Sequence, residues 1–226
     1  MTYRSDLQHA KNKPFPILGK IQQSTPFLLD LSKHTQLSVE MLNDQVALQK
    51  YIKETFYPKY KWGIATYLEY RPLLLNRFPQ MATENRYFHL GIDVIAPIHK
   101  ELFAPISGKV FYVGYEEGEG NYGGLVVLQH TTNDDKYFYS LYGHLDKDAL
   151  PLEGDNIEGG SVFARMGDMT CNGHWFFHTH VQLLTQKAID DGWMFRGYCT
   201  KEQCASMNEY CPSPFLFIGV ENEAFL

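Results

Sequence analysis

Nine histidines lie at positions 9, 34, 89, 99, 130, 144, 174, 178 and 180 of this chain, and three placements bear on chemistry. In HLGID, His89 and Asp93 stand four apart; in LYGHL, His144 closes an aromatic run; in HTH, His178 and His180 stand two apart. Alternate residues of a strand face opposite sides. Read as a strand, FFHTHVQLL therefore puts Phe177, Thr179, Val181 and Leu183 on one largely apolar face, and His178, His180 and Gln182 on the other. Two imidazoles side by side suit one metal ion and its bound water, and imidazole is the usual donor to zinc.

Each placement alone is weak, since chance supplies roughly 0.4 H-x-H and roughly 0.5 H-x3-D matches in a chain of this size. A lone histidine in an aromatic strand, such as His144, reads most simply as a hydrogen-bonded structural residue. His130 and His174 read as structural or supporting residues rather than ligands. GEGNYG (118–123) matches G-x-G-x-x-G, but the β-like run GLVVLQH follows it where a dinucleotide site needs a helix, so it reads as a hairpin turn. There is no H-E-x-x-H, no G-x4-G-K-[ST] and no G-x-S-x-G.

The elements that must position these groups are mostly strands. From about Arg86 onward, short apolar-aromatic runs alternate with Gly, Asn and Pro: GKVFYVGY (108–115), GLVVLQH (124–130), KYFYSLYGHL (136–145), SVFARMG (161–167) and FFHTHVQLL (176–184). Such spacing predicts a mainly β, antiparallel sandwich or barrel-like domain. Residues 1–80 read as an N-terminal extension packing on a main domain of residues 81–226, whose core is 86–185. In that extension, 1–25 is a loose arm, 37–56 is one helix carrying Leu37, Met41, Leu48, Tyr51, Ile52 and Phe56, and 61–80 is a strand or two with a turn. Residues 186–226 read as an irregular wrap over one end.

Composition limits the function classes. A net charge of −6 gives no basic footprint for nucleic acid. No run of 18 apolar residues predicts a transmembrane helix. The first twenty residues lack the apolar core of a secretory signal, so the expected setting is cytoplasmic, or the cell envelope where an export signal has been removed. The four cysteines (171, 199, 204 and 211) lack the C-x2-C spacing of a structural zinc site and read as reduced thiols or one local bridge.

In order, the chain carries HLGIDVIAP (89–97), APISGKV (104–110), GNYGGLVVLQH (120–130), YGHL (142–145), EGDNIEGGSVFARMG (153–167) and HTH (178–180). This succession resembles the lysostaphin/LytM family of zinc metallopeptidases, bacterial peptidoglycan endopeptidases, over roughly 86–185. The resemblance implies His89, Asp93 and His180 as zinc ligands and His144 and His178 as catalytic histidines. It implies metal-assisted hydrolysis of a peptide or peptidoglycan amide bond, with one histidine as base and the other stabilising the oxyanion. The continuation HTHVQ and the preceding NGHWFF depart from the family pattern and bear on the groove more than on the ion. Two alternatives stand beside this expectation: a catalytically silent binding or regulatory module of the same fold, and an intracellular zinc amidase or peptidase acting on a small substrate.

Overall fold

The computed structural model of the chain describes residues 13–132 and 134–220; residues 1–12, with His9, residue 133 and residues 221–226 lie outside the described residues. The strands are β1 (Phe27–Leu28), β2 (Gly63–Ala65), β3 (Phe88–His89), β4 (Ile92–Ile95), β5 (Glu101–Phe103), β6 (Gly108–Glu116), β7 (Gly123–Thr131), β8 (Tyr137–Leu145), β9 (Asn156–Ile157), β10 (Val162–Arg165), β11 (His178–Thr185) and β12 (Tyr198–Cys199). Eight form one sheet in the order β1-β2-β4-β11-β8-β7-β6-β9. It is antiparallel except for the short parallel pair β1–β2. Two-stranded ribbons β5–β10 and β3–β12 complete the β structure among the described residues. The mainly β, antiparallel expectation holds, with a sheet left open rather than closed into a barrel.

Alternation along the strands divides the core by face. Ile92, Val94, Val126, Leu128, Tyr142, Val181 and Leu183 point to one side, with Phe163, Phe215 and Phe217 packed against them. The other side carries two separate apolar clusters. One gathers Ile95 with Leu48, Ile52, Leu74, Phe78, Trp175 and Phe176. The second gathers Leu125, Val127, Tyr139 and Leu141 with Tyr122, Leu90, Cys199 and Met207. Asp93, His178 and His180 alternate with the first set of residues, so they emerge on the two-cluster face.

The N-terminal region departs from expectation in three places. Residues 13–25 are not a loose arm: Ile17 and Leu18 are fully buried, and a 3-10 turn at Gly19–Gln23 follows them. The helix expected over 37–56 is two, α1 (Val39–Asn43) and α2 (Gln45–Thr55), because the Asp44 carboxylate accepts from the amides of Val46 and Ala47 and starts a new helix. After β2, the stretch to residue 84 contains two short helices, α3 (Pro72–Leu75) and α4 (Pro79–Glu84), each with proline in its first turn, where the missing N–H costs nothing. The chain beyond β11 contains α5 (Gln186–Asp190) and α6 (Met207–Tyr210). No helix among the described residues is long and apolar enough to cross a membrane.

Candidate metal centre and cleft

The register of the sheet brings the histidine motifs together. On β11, His180 pairs with Asp93 of β4 on one side and with Gly143 of β8 on the other, while His178 pairs with Ile95. Three strands distant in sequence thus deliver Asp93, His144, His178 and His180 to one patch. His89 arrives from β3, whose neighbour β12 sets Tyr198 opposite it. His144, next to last in β8, sits in the left-handed region, φ +63, a conformation non-glycine residues adopt at a cost. Its amide donates to the Tyr122 carbonyl at 2.7 Å.

His89, Asp93 and His180 each present a ligand atom, all within 4.8 Å of one another. Their outer contacts fix which atoms those are. The His89 Nδ1–H donates to the Thr66 carbonyl at 3.0 Å, leaving Nε2 bare. His180 Nε2 donates to Gln182 Oε1 at 3.0 Å, leaving Nδ1 bare. The Gln182 amide is itself oriented by donation of Nε2 to the Arg196 carbonyl at 3.1 Å. His178 Nδ1 donates to the Phe176 carbonyl at 2.8 Å, and His144 Nδ1 to the Asn172 carbonyl at 2.8 Å, so each keeps Nε2 as its free nitrogen. Carbonyl oxygens only accept, which is why these tautomers follow.

The bare atoms face one point. Asp93 Oδ1 lies 3.2 Å from His89 Nε2, 3.4 Å from His180 Nδ1 and 3.5 Å from His178 Nε2. It is buried without a hydrogen-bond partner. His89 Nε2 and His180 Nδ1 are 2.9 Å apart with neither proton between them. Lone pairs crowded together in a dry site repel unless a cation sits among them. Two imidazoles and one carboxylate, each braced from outside, are the donor set of a catalytic zinc site. The residues therefore fit a divalent ion.

Electrostatics keeps the donors in their ligating forms. Burial, then the Arg71 charge, lowers His89 to about 3. Burial, then His178, pushes His144 well below an ordinary imidazole, and burial also lowers His178. Burial alone would raise the Asp93 carboxyl, but the His89 imidazole and the Arg71 guanidinium beside it outweigh burial and hold the group well below its usual value. Neutral imidazoles and an ionised carboxylate are what a metal ion requires.

A pocket opens over these groups, lined by Asp93, His144, His178 and His180 at its floor. Leu74, Met81 and Arg86, all preceding β3, form part of its wall, and Phe195 and Tyr198 from the C-terminal segment another. Tyr122 stands between the histidines, its ring 5.8 Å from His144 and 5.4 Å from His180. Its hydroxyl is buried without a hydrogen-bond partner, and burial keeps it protonated. His130 is elsewhere, buried in the core with Nδ1 donating to the Ser107 carbonyl and Nε2 against the Ser140 hydroxyl. His34, His99 and His174 are exposed.

Several residues of the site went unread in the sequence: Tyr122, Thr66 and Asn172, and above all Glu69 and Arg71. The signal for the last two was a Glu and an Arg two apart within the otherwise apolar and aromatic run 61–80. The glycine of HLGID also has a steric role. A Cβ at Gly91 would lie 2.6 Å from His180 Cε1 and 2.6 Å from the Val181 carbonyl oxygen.

Residues 87–190, which hold all five histidine and aspartate positions, match peptidase family M23. Uncharacterized lipoprotein YgeR of Escherichia coli (strain K12) is 32% identical over 77 residues, which is 34% of this chain and 28% of that protein. Among solved structures, the antimicrobial peptidase lysostaphin from Staphylococcus simulans is 22% identical, covering 71% of this chain and 50% of lysostaphin with a TM-score of 0.44. A zinc containing peptidase from Vibrio cholerae is 26% identical, covering 43% of this chain and 27% of that one with a TM-score of 0.36. Thr66, Glu69 and Arg71 precede the segment that matches the M23 family.

Proposed function

We propose that this chain is a zinc-dependent metalloendopeptidase that hydrolyses amide bonds in peptidoglycan peptides. The observation that carries the reading is the convergence of His89 Nε2, His180 Nδ1 and Asp93 Oδ1 on one point, with the free nitrogen of His178 beside it and the His144 ring against His178. The match of residues 87–190 to a peptidase family supports it, and likeness to a bacterial lipoprotein supports an envelope setting.

His89, Asp93 and His180 would hold the ion. When bound, zinc supplies Lewis acidity toward water and the amide carbonyl. The chain supplies the proton traffic. His144 and His178 are held neutral by burial, so either Nε2 accepts a proton from water. The imidazolium formed then gives that proton to the departing amine. The Tyr122 hydroxyl, protonated and without a partner, is placed to donate to the oxyanion as it develops.

The test is to measure zinc content of the purified chain, then cleavage of purified peptidoglycan and of oligoglycine- and D-Ala-containing peptides. Zinc-loaded protein with no turnover on any of them would refute the reading. A second reading, a peptidase of short peptides, is favoured by the walls over the site: the floor residues are buried, with His144 at 6% exposure the most open of them. Cleavage of the polymer at a rate comparable with short peptides would count against it.

A further inference from the structure

Beyond the segment that matches the family, a buried Glu69–Arg71 pair abuts the centre. Arg71 is 1% exposed, and its guanidinium spans two carboxylates. Nη1 donates to Asp93 Oδ2 at 2.7 Å, and Nε donates to Glu69 Oε2 at 2.7 Å. Glu69 is fixed in turn, its Oε1 accepting from the Leu31 amide at 3.1 Å. The backbone holds both residues in place: the amide of Leu68 donates to the His89 carbonyl, that of His89 to the Glu69 carbonyl, and that of Arg71 to the Tyr87 carbonyl. Burying three charges is expensive and is no route to stability by itself. Such a group is better understood by what it orients.

Resting on the metal-centre reading above, we propose that Glu69 and Arg71 are positioning residues that make Asp93 a one-oxygen ligand. The two oxygens of Asp93 have different environments. Oδ2 is taken by Arg71, while Oδ1 faces the histidine nitrogens without a partner. A carboxylate free at both oxygens turns about its last bond and offers either or both to an ion. With Oδ2 clamped, Asp93 supplies one oxygen in one direction, and the ion keeps a place open for substrate or water, as catalytic zinc requires. Glu69 cancels the added positive charge, so the clamp leaves the net charge around the ion unchanged. The rigid guanidinium fork makes this geometry; an ammonium does not reproduce it. The N-terminal segment thereby becomes part of the metal centre, through Leu31, Thr66, Glu69 and Arg71.

The test uses the full chain, the charge-conserving double variant Glu69→Gln/Arg71→Met, and Arg71→Lys. Zinc affinity is read by competition with a chromogenic chelator, and coordination by the visible spectrum of the Co²⁺-substituted protein. Because the double variant keeps the net charge, a change reports orientation. Loss of such supporting partners typically weakens metal binding about 10–100-fold. That loss is expected, together with weaker cobalt bands as the freed Oδ2 joins the ion and the coordination number rises. Arg71→Lys is expected between wild type and the double variant, and it carries the test alone if the double variant does not fold. Affinity within about threefold of wild type, with a superimposable cobalt spectrum, overturns the proposal. Failure of the wild type itself to bind zinc or cobalt defeats the metal-centre reading and this proposal together, an outcome distinct from normal binding by wild type and variants alike.

Discussion

Gly91→Ala changes none of the proposed ligands, yet it should weaken the proposed metal centre. Gly91 lies between His89 and Asp93, and its backbone does not need a glycine conformation, since its φ is not among the positive ones. The obstacle is steric. The new Cβ would fall 2.6 Å from His180 Cε1, 2.7 Å from its Nε2 and 2.6 Å from the Val181 carbonyl oxygen. Ordinary contact begins near 3.4 Å, so something must move by about 0.8 Å. Val181 is backbone in a central strand, paired with both Ile92 and Tyr142, and gives little. The imidazole must therefore move, straining its bond to Gln182. Overpacking of this kind costs about 1–3 kcal/mol of stability. Catalytic and ligand groups tolerate displacements of only about 0.5 Å, so zinc affinity should drop at least about tenfold. The assay is urea denaturation with and without saturating zinc in wild type and variant. A tenfold weaker site at fixed zinc loses about 1.4 kcal/mol of ion-induced stabilisation, separate from the loss in the apo-protein. A variant as stable as wild type, gaining as much from zinc, would refute the steric argument.

Other outcomes follow from the same geometry. His144→Asn, chosen because asparagine tolerates positive φ, should keep the fold and the zinc but lower kcat about 10²–10⁴-fold in peptide hydrolysis assays; unchanged turnover would remove His144 from the reaction. Tyr122→Phe should lower kcat by about 10-fold or more with little change in KM if its hydroxyl meets the oxyanion; a change confined to KM would argue for a binding role instead. Burial lowers His130 from the ordinary imidazole value of 6.5 to about 4, so the folded protein resists protonation that the unfolded chain accepts. The apo-protein should therefore hold this contribution, about 3 kcal/mol, above pH 6.5 and lose it as pH falls toward 4. Denaturation of wild type and His130→Gln at neutral and acid pH checks this, the variant losing less between the two. The thiols of Cys199 and Cys204 stand 3.7 Å apart, so mild oxidation by a small disulfide such as oxidised glutathione should join this pair, with loss of two hydrogens seen by mass spectrometry and the oxidant released as two molecules of reduced glutathione. A bridge to Cys171 or Cys211 instead would contradict the geometry.

The strands β6, β7, β8 and β11 were legible because each carries a run of β-branched and aromatic residues bounded by turn residues, and each observed range falls close to its expected one. The faces of β11 were legible too, since alternation is a property of the strand itself: Val181 and Leu183 enter the core and His178 and His180 leave it. Less of the N-terminal region could be read. A single carboxylate, Asp44, splits a periodic stretch into two helices by capping, and helical spacing does not register such a break. Likewise Pro72 and Pro79 start helices in a segment whose aromatic texture predicted strands. Tertiary contacts overrode local preference there, because Leu74, Leu75 and Phe78 had an apolar cluster to join.

The order and spacing of the histidine motifs determined that a metal-type donor set exists, because residue chemistry and strand alternation are local. Sequence alone also fixed which side of β11 the imidazoles occupy. The tertiary structure decided which nitrogen of each ring is bare, since that depends on carbonyls and an amide contributed by Thr66, Asn172, Phe176 and Gln182. It decided as well that Glu69 and Arg71, remote from any motif, stand behind Asp93. Hydrogen-bond direction and charge burial are set by what arrives from elsewhere in the chain, and no local pattern encodes the partner.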